Sequence, residues 1–352
     1  MTTAITQRLF GKTPAGDAVT EFTLTNQRGS IAKIINFGGI ITELHVRDKH
    51  GNLGDVVLGF ETLEPYLEKS PYFGALIGRV GNRIANAQFT LDGVTYQLAA
   101  NNGPNNLHGG VQGFDKKIWN AEPFENTSGP GLILKLLSED GDQGFPGNLQ
   151  VTVTYQFTHH DEMVVDYFAT TDKATPVNLT QHTYFNLASK GDVLNHNMQI
   201  FADHINAVDE TQIPIGEPMP VAGTPFDFRA QHTIGERINA NHEQIKNGFG
   251  YDHNFLINQT GYKTLTLAAR TEEQTSGRVL EVFTEEPGVQ FYSGNFLDGS
   301  LTGKGTHYKY RTGFCLEPQH APDSINQPQF PSIVLRPGEE YKTRTIFKLS
   351  VK

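Results

Sequence analysis

Residues 181–187 have the sequence Gln-His-Thr-Tyr-Phe-Asn-Leu and carry side chains that could act on a small polar molecule. Side chains alternate between the two faces of an extended strand. His182, Tyr184 and Asn186 are therefore expected on one face, and the intervening residues on the other, where they suit a packed interior. An imidazole, a phenol and an amide together suit the hydroxyl groups of a sugar. The pattern predicts a half-polar strand that lines a pocket.

Four other segments place charged or polar groups beside glycines or among apolar residues. They are residues 78–84 with Arg79 and Arg83, residues 105–110 with His108, residues 250–255 with Asp252, and residues 313–319 with Cys315 and Glu317.

Considered singly, most of these groups have an ordinary structural explanation. A lone histidine is usually a hydrogen-bonded structural residue, the two arginines could form ion pairs, and Asp252 could cap its own turn. Cys315 suits a small buried position. Glu317 differs, because a carboxylate among Phe, Cys, Leu and Pro loses contact with water and needs a partner or a function.

Apolar and polar residues alternate between turn residues along the whole chain, which predicts many strands. Hairpin turns are predicted at residues 49–52, at Asp92-Gly93, where positive φ angles are needed, and at residues 258–261. Helical patterns are few, at residues 61–68 and, weakly, at residues 232–246. Many strands with almost no helix indicate an all-β fold, a large antiparallel β-sandwich with few short helices. The main predicted strands are residues 18–24, 31–37, 40–46, 132–137, 149–157, 162–170, 265–271, 278–284, 288–293, 313–317 and 341–349.

One domain spanning residues 1–352 is predicted, because no repeat, low-complexity tract or linker-like run divides the chain. The proline-rich stretch at residues 213–228 is the best candidate for a boundary. Its Val221, Phe226 and Phe228 favour a long ordered loop instead.

Charge and cysteine content limit the partners and the location. The formal net charge of -10 argues against binding to nucleic acid or to an anionic membrane surface. Cys315 is the single cysteine, so no intrachain disulfide forms and a reducing compartment is suitable. With neither a signal-peptide pattern nor a membrane-spanning apolar segment, a cytoplasmic location is expected.

The sequence argues against several classes of enzyme. Motifs of nucleotide-binding proteins, serine hydrolases and zinc proteases are absent from the sequence. The cluster of possible ligands at residues 159–162 would point to opposite sides of a strand end, so a closed metal shell is not expected there. No metal site is predicted.

Taken together, the polar segments resemble the signature segments of the aldose 1-epimerase family, also called galactose mutarotases, in the family's order. The resemblance extends from Phe37-Gly38-Gly39 through residues 78–84 to Arg336-Pro337-Gly338 and covers essentially the whole chain. Its main motifs are Asn-Leu-His-Gly-Gly at residues 106–110, His-Thr-Tyr-Phe-Asn-Leu at residues 182–187, Gly-Tyr-Asp-His at residues 250–253 and Leu-Glu-Pro-Gln at residues 316–319.

The resemblance implies a single supersandwich domain of the galactose mutarotase type. It also implies an enzyme that interconverts the α and β anomers of free sugars such as galactose and glucose without a cofactor. Matched position by position, Glu317 corresponds to the catalytic base and His182 to the catalytic acid. The family's substrate-binding positions correspond to His108, Asp252, Arg83, Asn82, Gln290 and Phe291, the last two on a shorter motif at residues 288–294.

The chemistry of ring opening agrees with these residue types. The C1 hydroxyl must lose a proton while the ring oxygen gains one, so a base and an acid must flank the acetal carbon. A carboxylate near His182 is expected to keep the imidazole charged, and Phe291 is expected to pack on the C–H surface of the sugar. The expected partner is a free monosaccharide, and the expected assembly is a monomer or a weak homodimer.

Three other functions remain open from the sequence. An epimerase of sugar 6-phosphates would need a cationic cluster around the phosphate, for which Arg79 and Arg83 are a small supply. A non-catalytic carbohydrate-binding sandwich would not need both His182 and Glu317 in one pocket. A glycoside hydrolase would need two carboxylates, and Glu317 with Asp252 could form that pair.

Overall fold

The computed structural model describes residues 4–261 and 263–352, and strands dominate it. The strands before residue 110 are β1 (Ala4–Lys12), β2 (Ala18–Thr25), β3 (Ile31–Ile35), β4 (Ile40–Arg47), β5 (Leu53–Asp55), β6 (Ala75–Ile77), β7 (Arg83–Ile84), β8 (Gln88–Leu91), β9 (Val94–Gln97) and β10 (Asn106–Leu107). The next ten are β11 (Asn120–Asn126), β12 (Gly129–Ser138), β13 (Leu149–Phe157), β14 (Glu162–Thr171), β15 (Thr175–Pro176), β16 (Thr180–His182), β17 (Tyr184–Phe185), β18 (Asn197–Ile200), β19 (Ala202–Ile205) and β20 (Met219–Pro220). The last are β21 (His232–Thr233), β22 (Asp252–Ile257), β23 (Thr266–Glu272), β24 (Arg278–Thr284), β25 (Gly288–Tyr292), β26 (Thr302–Gly303), β27 (Thr306–His307), β28 (Phe314–Gln319), β29 (Val334–Leu335) and β30 (Tyr341–Val351).

Helical structure in the described residues is limited to short pieces. The α-helices are α1 (Glu64–Glu68) and α2 (Glu243–Asn247), and 3₁₀ turns occupy Ala85–Ala87, Phe114–Lys116 and Asp142–Gly144. The helix predicted at residues 61–68 is confirmed in shortened form. The weak pattern at residues 232–246 predicted too much helix, because its first two residues pair with β18 as strand β21 and helical structure begins only at Glu243.

Three large sheets carry most of the strands. A five-stranded sheet has the order β1-β2-β3-β4-β5, a nine-stranded sheet has the order β11-β12-β13-β14-β30-β24-β23-β18-β21, and a six-stranded sheet has the order β17-β28-β25-β22-β19-β20. Neighbouring strands in all three sheets run antiparallel. The prediction of an all-β antiparallel fold with few short helices is confirmed.

The nine-stranded and six-stranded sheets pack face to face. Phe347 on β30 contacts Phe185 on β17 with ring centroids 5.5 Å apart. Both residues belong to one apolar cluster that also contains Val289 and Phe291 of the six-stranded sheet. Burial of alternating apolar residues from the two sheets makes this the sandwich that the strand pattern predicts.

Two of the three predicted hairpins are confirmed, and the third is wrong. Asp92 and Gly93 have φ angles of 50° and 80° and join β8 to β9, and the turn after β4 leads directly to β5. The turn at residues 258–261 does not form a hairpin, because β22 pairs with β19 and β25, whereas β23 pairs with β18 and β24 in the other sheet.

The proline-rich loop at residues 213–228 packs onto the core as expected. Val221 and Phe226 are fully buried and Phe228 is 1% exposed, and all three join the main apolar cluster. The division of the chain into domains stays a prediction. Among the described residues, no helix is long and apolar enough to cross a membrane.

The single strand predicted for residues 181–187 is wrong, because the extended segment is interrupted at Thr183 and ends at Phe185. β16 pairs with β6 and ends at His182, whereas β17 pairs with β28 and begins at Tyr184. Thr183 donates its backbone N–H and its hydroxyl to Gln181 Oε1. This local contact lets the chain leave one sheet and enter another within a single residue.

Candidate active site

One face of the six-stranded sheet is polar and the other is apolar. The pairing register brings polar residues of neighbouring strands together on the same face. Gln290 on β25 lies opposite Glu317 on β28, and Asp252 on β22 lies opposite Tyr292 on β25. Directly paired residues of an antiparallel sheet share a face, so these side chains converge. Phe291 and the other alternate residues pack into the core on the opposite face.

His182 meets Glu317 at the edge of this polar face. The two atoms His182 Nε2 and Glu317 Oε2 lie 3.5 Å apart, and both side chains are buried. The imidazole stacks on Tyr184 with ring centroids 5.2 Å apart and meets the edge of the His108 ring at 5.1 Å. Glu317 Oε2 has no hydrogen-bond partner within the described part of the chain.

His108 reaches the same place from a tight turn after β10. Its φ angle is 51°, and the backbone N–H of Asn82 donates to its Nδ1 at 3.1 Å. Gly109 follows with a φ angle of 84°, and a Cβ at that position would stand 2.0 Å from the carbonyl oxygen of Gly78. The glycine after His108 is thus required by the close approach of two loops.

Arg83, on β7, is held by amide oxygens. Its Nε donates to Asn102 Oδ1 at 3.0 Å, and its Nη2 donates to Gln212 Oε1. Asn82 Oδ1 accepts from the Arg83 backbone N–H at 2.9 Å. Burial lowers the pKa of Arg83, and the nearby charges of Asp252 and Glu317 oppose that shift.

Asp252 accepts one hydrogen bond on each carboxylate oxygen, both from side-chain amides. Gln290 Nε2 donates to its Oδ1 and Gln212 Nε2 donates to its Oδ2, each at 2.7 Å. Gln212 therefore bridges Arg83 and Asp252 and fixes their separation. Gln212 could not be identified from the sequence, because it lies in a long loop far from the signature segments.

These groups surround a cavity of about 120 Å³. Six of the eight predicted site residues line it, and Gln290 supports it through Asp252. Aromatic residues that the sequence did not single out complete the wall, namely Tyr72, Tyr292 and Phe296. The six predicted lining residues are Asn82, Arg83, His108, His182, Asp252 and Glu317.

Phe291 does not lie in this cavity, so the prediction that it packs on a sugar is wrong. Its side chain is fully buried in the core, where its ring stacks on Tyr251 at a centroid distance of 5.2 Å and meets Phe228 at 5.7 Å. The reason is strand alternation, since Gln290 and Tyr292 take the cavity side. Tyr292 is the aromatic residue of β25 that faces the cavity.

Two other residues named from the sequence also lie elsewhere. Asn186 donates to the carbonyl oxygen of Thr312 at 2.8 Å and lines a different cavity. Arg79 is buried and donates to backbone carbonyls, among them Pro146 at 2.7 Å and Ser138 at 3.0 Å. The guanidinium of Arg79 therefore holds loops together away from the cavity.

Burial sets the protonation tendencies of the site. Burial lowers the pKa of His182 to about 4, and hydrogen bonding to the residue's own backbone partly offsets that shift. Burial raises the pKa of Glu317 well above the usual value, with the charge of Asp252 adding to the shift and that of Arg83 opposing it. The expectation that a neighbouring carboxylate keeps His182 charged is wrong, because desolvation dominates.

His108, His182 and Glu317 offer potential metal ligands within 4.8 Å of one another. His108 does not suit this use, because the Asn82 N–H occupies Nδ1 and leaves the imidazole proton on Nε2, the atom that would have to bind the ion. The same hydrogen bond makes His108 a donor towards the cavity. A hydroxyl group is a better match than a cation for this arrangement.

Comparisons with known proteins agree with the geometry. Galactose mutarotase of Rattus norvegicus is 48% identical over 352 residues, which cover 99% of each chain, and aldose 1-epimerase of Escherichia coli is 40% identical over 338 residues, covering 95% of this chain and 96% of that one. The crystal structure of galactose 1-epimerase from Lactobacillus acidophilus superposes with a TM-score of 0.87 at 28% identity, covering 99% of both chains. The family model described as aldose 1-epimerase matches residues 20–348. The chain belongs to the aldose 1-epimerase family.

Proposed function

We propose that the protein is an aldose 1-epimerase that interconverts the α and β anomers of free aldoses such as D-galactose and D-glucose. The observation that carries this proposal is the buried pair of His182 Nε2 and Glu317 Oε2, 3.5 Å apart at the wall of a small cavity. Relatives that cover almost the whole chain bear the names galactose mutarotase and aldose 1-epimerase, which supports the same activity.

In the proposed reaction, Glu317 removes the proton of the C1 hydroxyl while His182 Nε2–H protonates the ring oxygen. The C1–O5 bond breaks and the C1 carbonyl forms. Rotation about the C1–C2 bond presents the other face of the aldehyde, and the reverse proton transfers close the ring. The two side chains return to their starting protonation states, so the proposed reaction requires no cofactor.

Desolvation of the pair favours these transfers. Before ring opening the acid must be imidazolium and the base carboxylate. This ion pair holds the same protons as the neutral imidazole and neutral carboxyl that burial favours, so it forms by proton transfer from Glu317 to His182 Nε2. After ring opening both groups are neutral. The lowered pKa of His182 makes its imidazolium a stronger acid, and the raised pKa of Glu317 makes its carboxylate a stronger base. A buried site therefore stabilises the neutral pair that accompanies the open-chain aldehyde.

The remaining polar groups suit the sugar hydroxyls. His108 offers Nε2–H, Arg83 offers a guanidinium already oriented by Gln212, and Asp252 offers carboxylate oxygens. Because their partners hold them in place, little orientational freedom is lost when a sugar binds. We assign these three residues and Asn82 to substrate binding, with Gln290 positioning Asp252.

Polarimetry on freshly dissolved α-D-galactose and α-D-glucose tests the proposal directly. Glu317→Gln and His182→Asn should each lower kcat by on the order of a hundredfold or more, since each removes one proton-transfer group. The matched control is His320→Asn, which removes a partly buried histidine, paired with Glu286 at 2.7 Å outside the cavity. Near wild-type rates in either site variant, in a protein with a native circular dichroism spectrum, would overturn the assignment.

The alternative substrates receive less support. A sugar phosphate would need a second cation, but the Arg79 guanidinium is directed to backbone carbonyls of buried loops. A glycoside hydrolase would release reducing sugar from a glycoside, which the same samples can be assayed for. We also propose a cytoplasmic monomer or weak homodimer, and light scattering over a range of concentrations measures the assembly state.

A further inference from the structure

The two ring nitrogens of His182 have different neighbours. Nε2 faces Glu317, and Nδ1 lies 3.5 Å from the Sγ atom of Cys315, within hydrogen-bond range for sulfur. Cys315 is fully buried and is the single cysteine of the chain. It lies on β28, two residues before Glu317, and its register partners are Tyr184 and Tyr292. One strand thus supplies a neighbour to each side of the imidazole.

Proton donation through Nε2 fixes what must happen at Nδ1. When an imidazolium gives up its Nε2 proton, the neutral ring that remains carries its proton on Nδ1. That N–H is buried and needs an acceptor throughout the cycle. The sulfur of Cys315 lies where it can serve as this acceptor.

His108 shows the opposite arrangement. Its Nδ1 accepts the backbone N–H of Asn82, so its neutral ring carries the proton on Nε2. Such a ring can donate a hydrogen bond into the cavity, but it cannot complete a transfer from Nε2 without becoming an anion. Surroundings on the Nδ1 side therefore distinguish the proton donor from the binding residue.

From this geometry we propose that Cys315 is a positioning residue for catalysis, which accepts the Nδ1–H of His182 and so keeps Nε2 as the atom that exchanges protons. The proposal rests on the proposed function in assigning His182 as the acid. A thiol suits this task because sulfur is a weak acceptor. It orients the ring without the strong stabilisation of imidazolium that a carboxylate at Nδ1 would bring.

The test compares Cys315→Ala with Cys315→Ser. Alanine removes the acceptor, and kcat should fall by about tenfold, the effect of one hydrogen bond of about 1.4 kcal/mol, while KM stays within about twofold. Serine retains an acceptor and should recover most of the loss in kcat. The matched control is Val289→Ala, which truncates a fully buried side chain on the core face of β25, away from His182. It should lower Tm but leave kcat within about twofold.

A measurement independent of turnover keeps the proposal separate from the proposed function. Nitrogen-15 NMR of labelled histidine should find the Nδ1–H tautomer of neutral His182 in the wild type and a shift towards Nε2–H in Cys315→Ala. An unchanged tautomer, an unchanged kcat in Cys315→Ala, or equal losses in the Ala and Ser variants would each overturn the positioning role. Absence of mutarotation in the wild type would instead reject the proposed function and leave the tautomer result standing.

Discussion

Two cavities of this protein differ in size and in the state of their polar groups. The larger, about 810 Å³, lies between β4, β5 and the segments at residues 186–192 and 304–312. Two of its carboxylates have lysine partners, Glu43 with Lys33 at 2.9 Å and Asp55 with Lys304 at 2.5 Å. The smaller, about 120 Å³, contains Glu317, whose Oε2 has no hydrogen-bond partner among the described residues.

The contrast shows that volume alone does not identify a site. Buried polar atoms normally have partners, so an unpaired carboxylate oxygen beside an imidazole indicates a position where a ligand completes the hydrogen bonding. Gln290 Oε1, which is also unpaired in the described structure, lies on the same face of the six-stranded sheet. In the larger cavity, Glu43 and Asp55 already have lysine partners and leave less for a ligand to satisfy.

The largest effect in this comparison is expected for Asp252→Asn. The change removes a charge that accepts two amide hydrogen bonds and raises the pKa of Glu317. Loss of charge-assisted hydrogen bonds should lower kcat/KM by about 10- to 100-fold. The pKa of Glu317 should fall. Because the pKa of His182 lies below that of Glu317, proton loss from Glu317 sets the alkaline limb of the rate profile, and that limb should move to lower pH.

Polarimetry from pH 4 to pH 8 measures both effects. The control is Glu286→Gln, which neutralises another buried carboxylate, 3% exposed, outside the cavity. It should leave the alkaline limb in place. An alkaline limb that stays fixed or moves to higher pH in Asp252→Asn would contradict the electrostatic coupling between Asp252 and Glu317.

Much of the fold follows from local patterns. The limits of β13 and β24 agree with the predicted strands, since alternation along a strand reports directly which face is buried. The hairpin predicted at residues 258–261 is wrong because turn residues alone do not show whether the next strand pairs with the preceding one or enters another sheet. The interruption at Thr183 could not be predicted for the same reason, because the pairing of strands depends on residues that are far apart in the sequence.

The site was predicted mainly through the resemblance of its polar segments to the family's motifs. Glu317 could also be singled out from its surroundings, because a desolvated charge needs an explanation, whereas His182 was assigned as the acid through the resemblance. Tyr72 and Gln212 could not, since a tyrosine or a glutamine in a loop is unremarkable until the fold brings it to the cavity wall. Phe291 was misassigned to the cavity, although alternation from Gln290 would have placed it in the core.

A smaller effect, and one on stability alone, is expected for Phe291→Leu. The variant loses the ring contacts with Tyr251 and Phe228 and should reduce the free energy of unfolding by about 1 to 2 kcal/mol. KM should stay within about twofold. The neighbour on the other face gives the matched comparison, because Gln290→Met should raise KM through Asp252 and alter stability less. Denaturant titration measures the stability and polarimetry measures KM. A raised KM in Phe291→Leu would show that Phe291 contributes to substrate binding after all.

The smallest effect is expected in the larger cavity, from Lys304→Met. Lys304 Nζ donates to Asp55 Oδ2 at 2.5 Å and to the carbonyl oxygen of Val57 at 2.8 Å. Both partners of the ion pair are partly exposed, so its loss should cost about 1 kcal/mol of the free energy of unfolding. The value of kcat should remain within about twofold of wild type.

Lys190→Met provides the control for Lys304→Met, because Lys190 is an exposed lysine on the wall of the same cavity. It should leave both stability and kcat nearly unchanged. If Lys304→Met lowered kcat tenfold while Lys190→Met did not, the larger cavity would be coupled to turnover. The larger cavity, with its paired charges, could then no longer be distinguished from the smaller cavity, where Glu317 has an unpaired oxygen. Paired charges would also be contributing to the reaction.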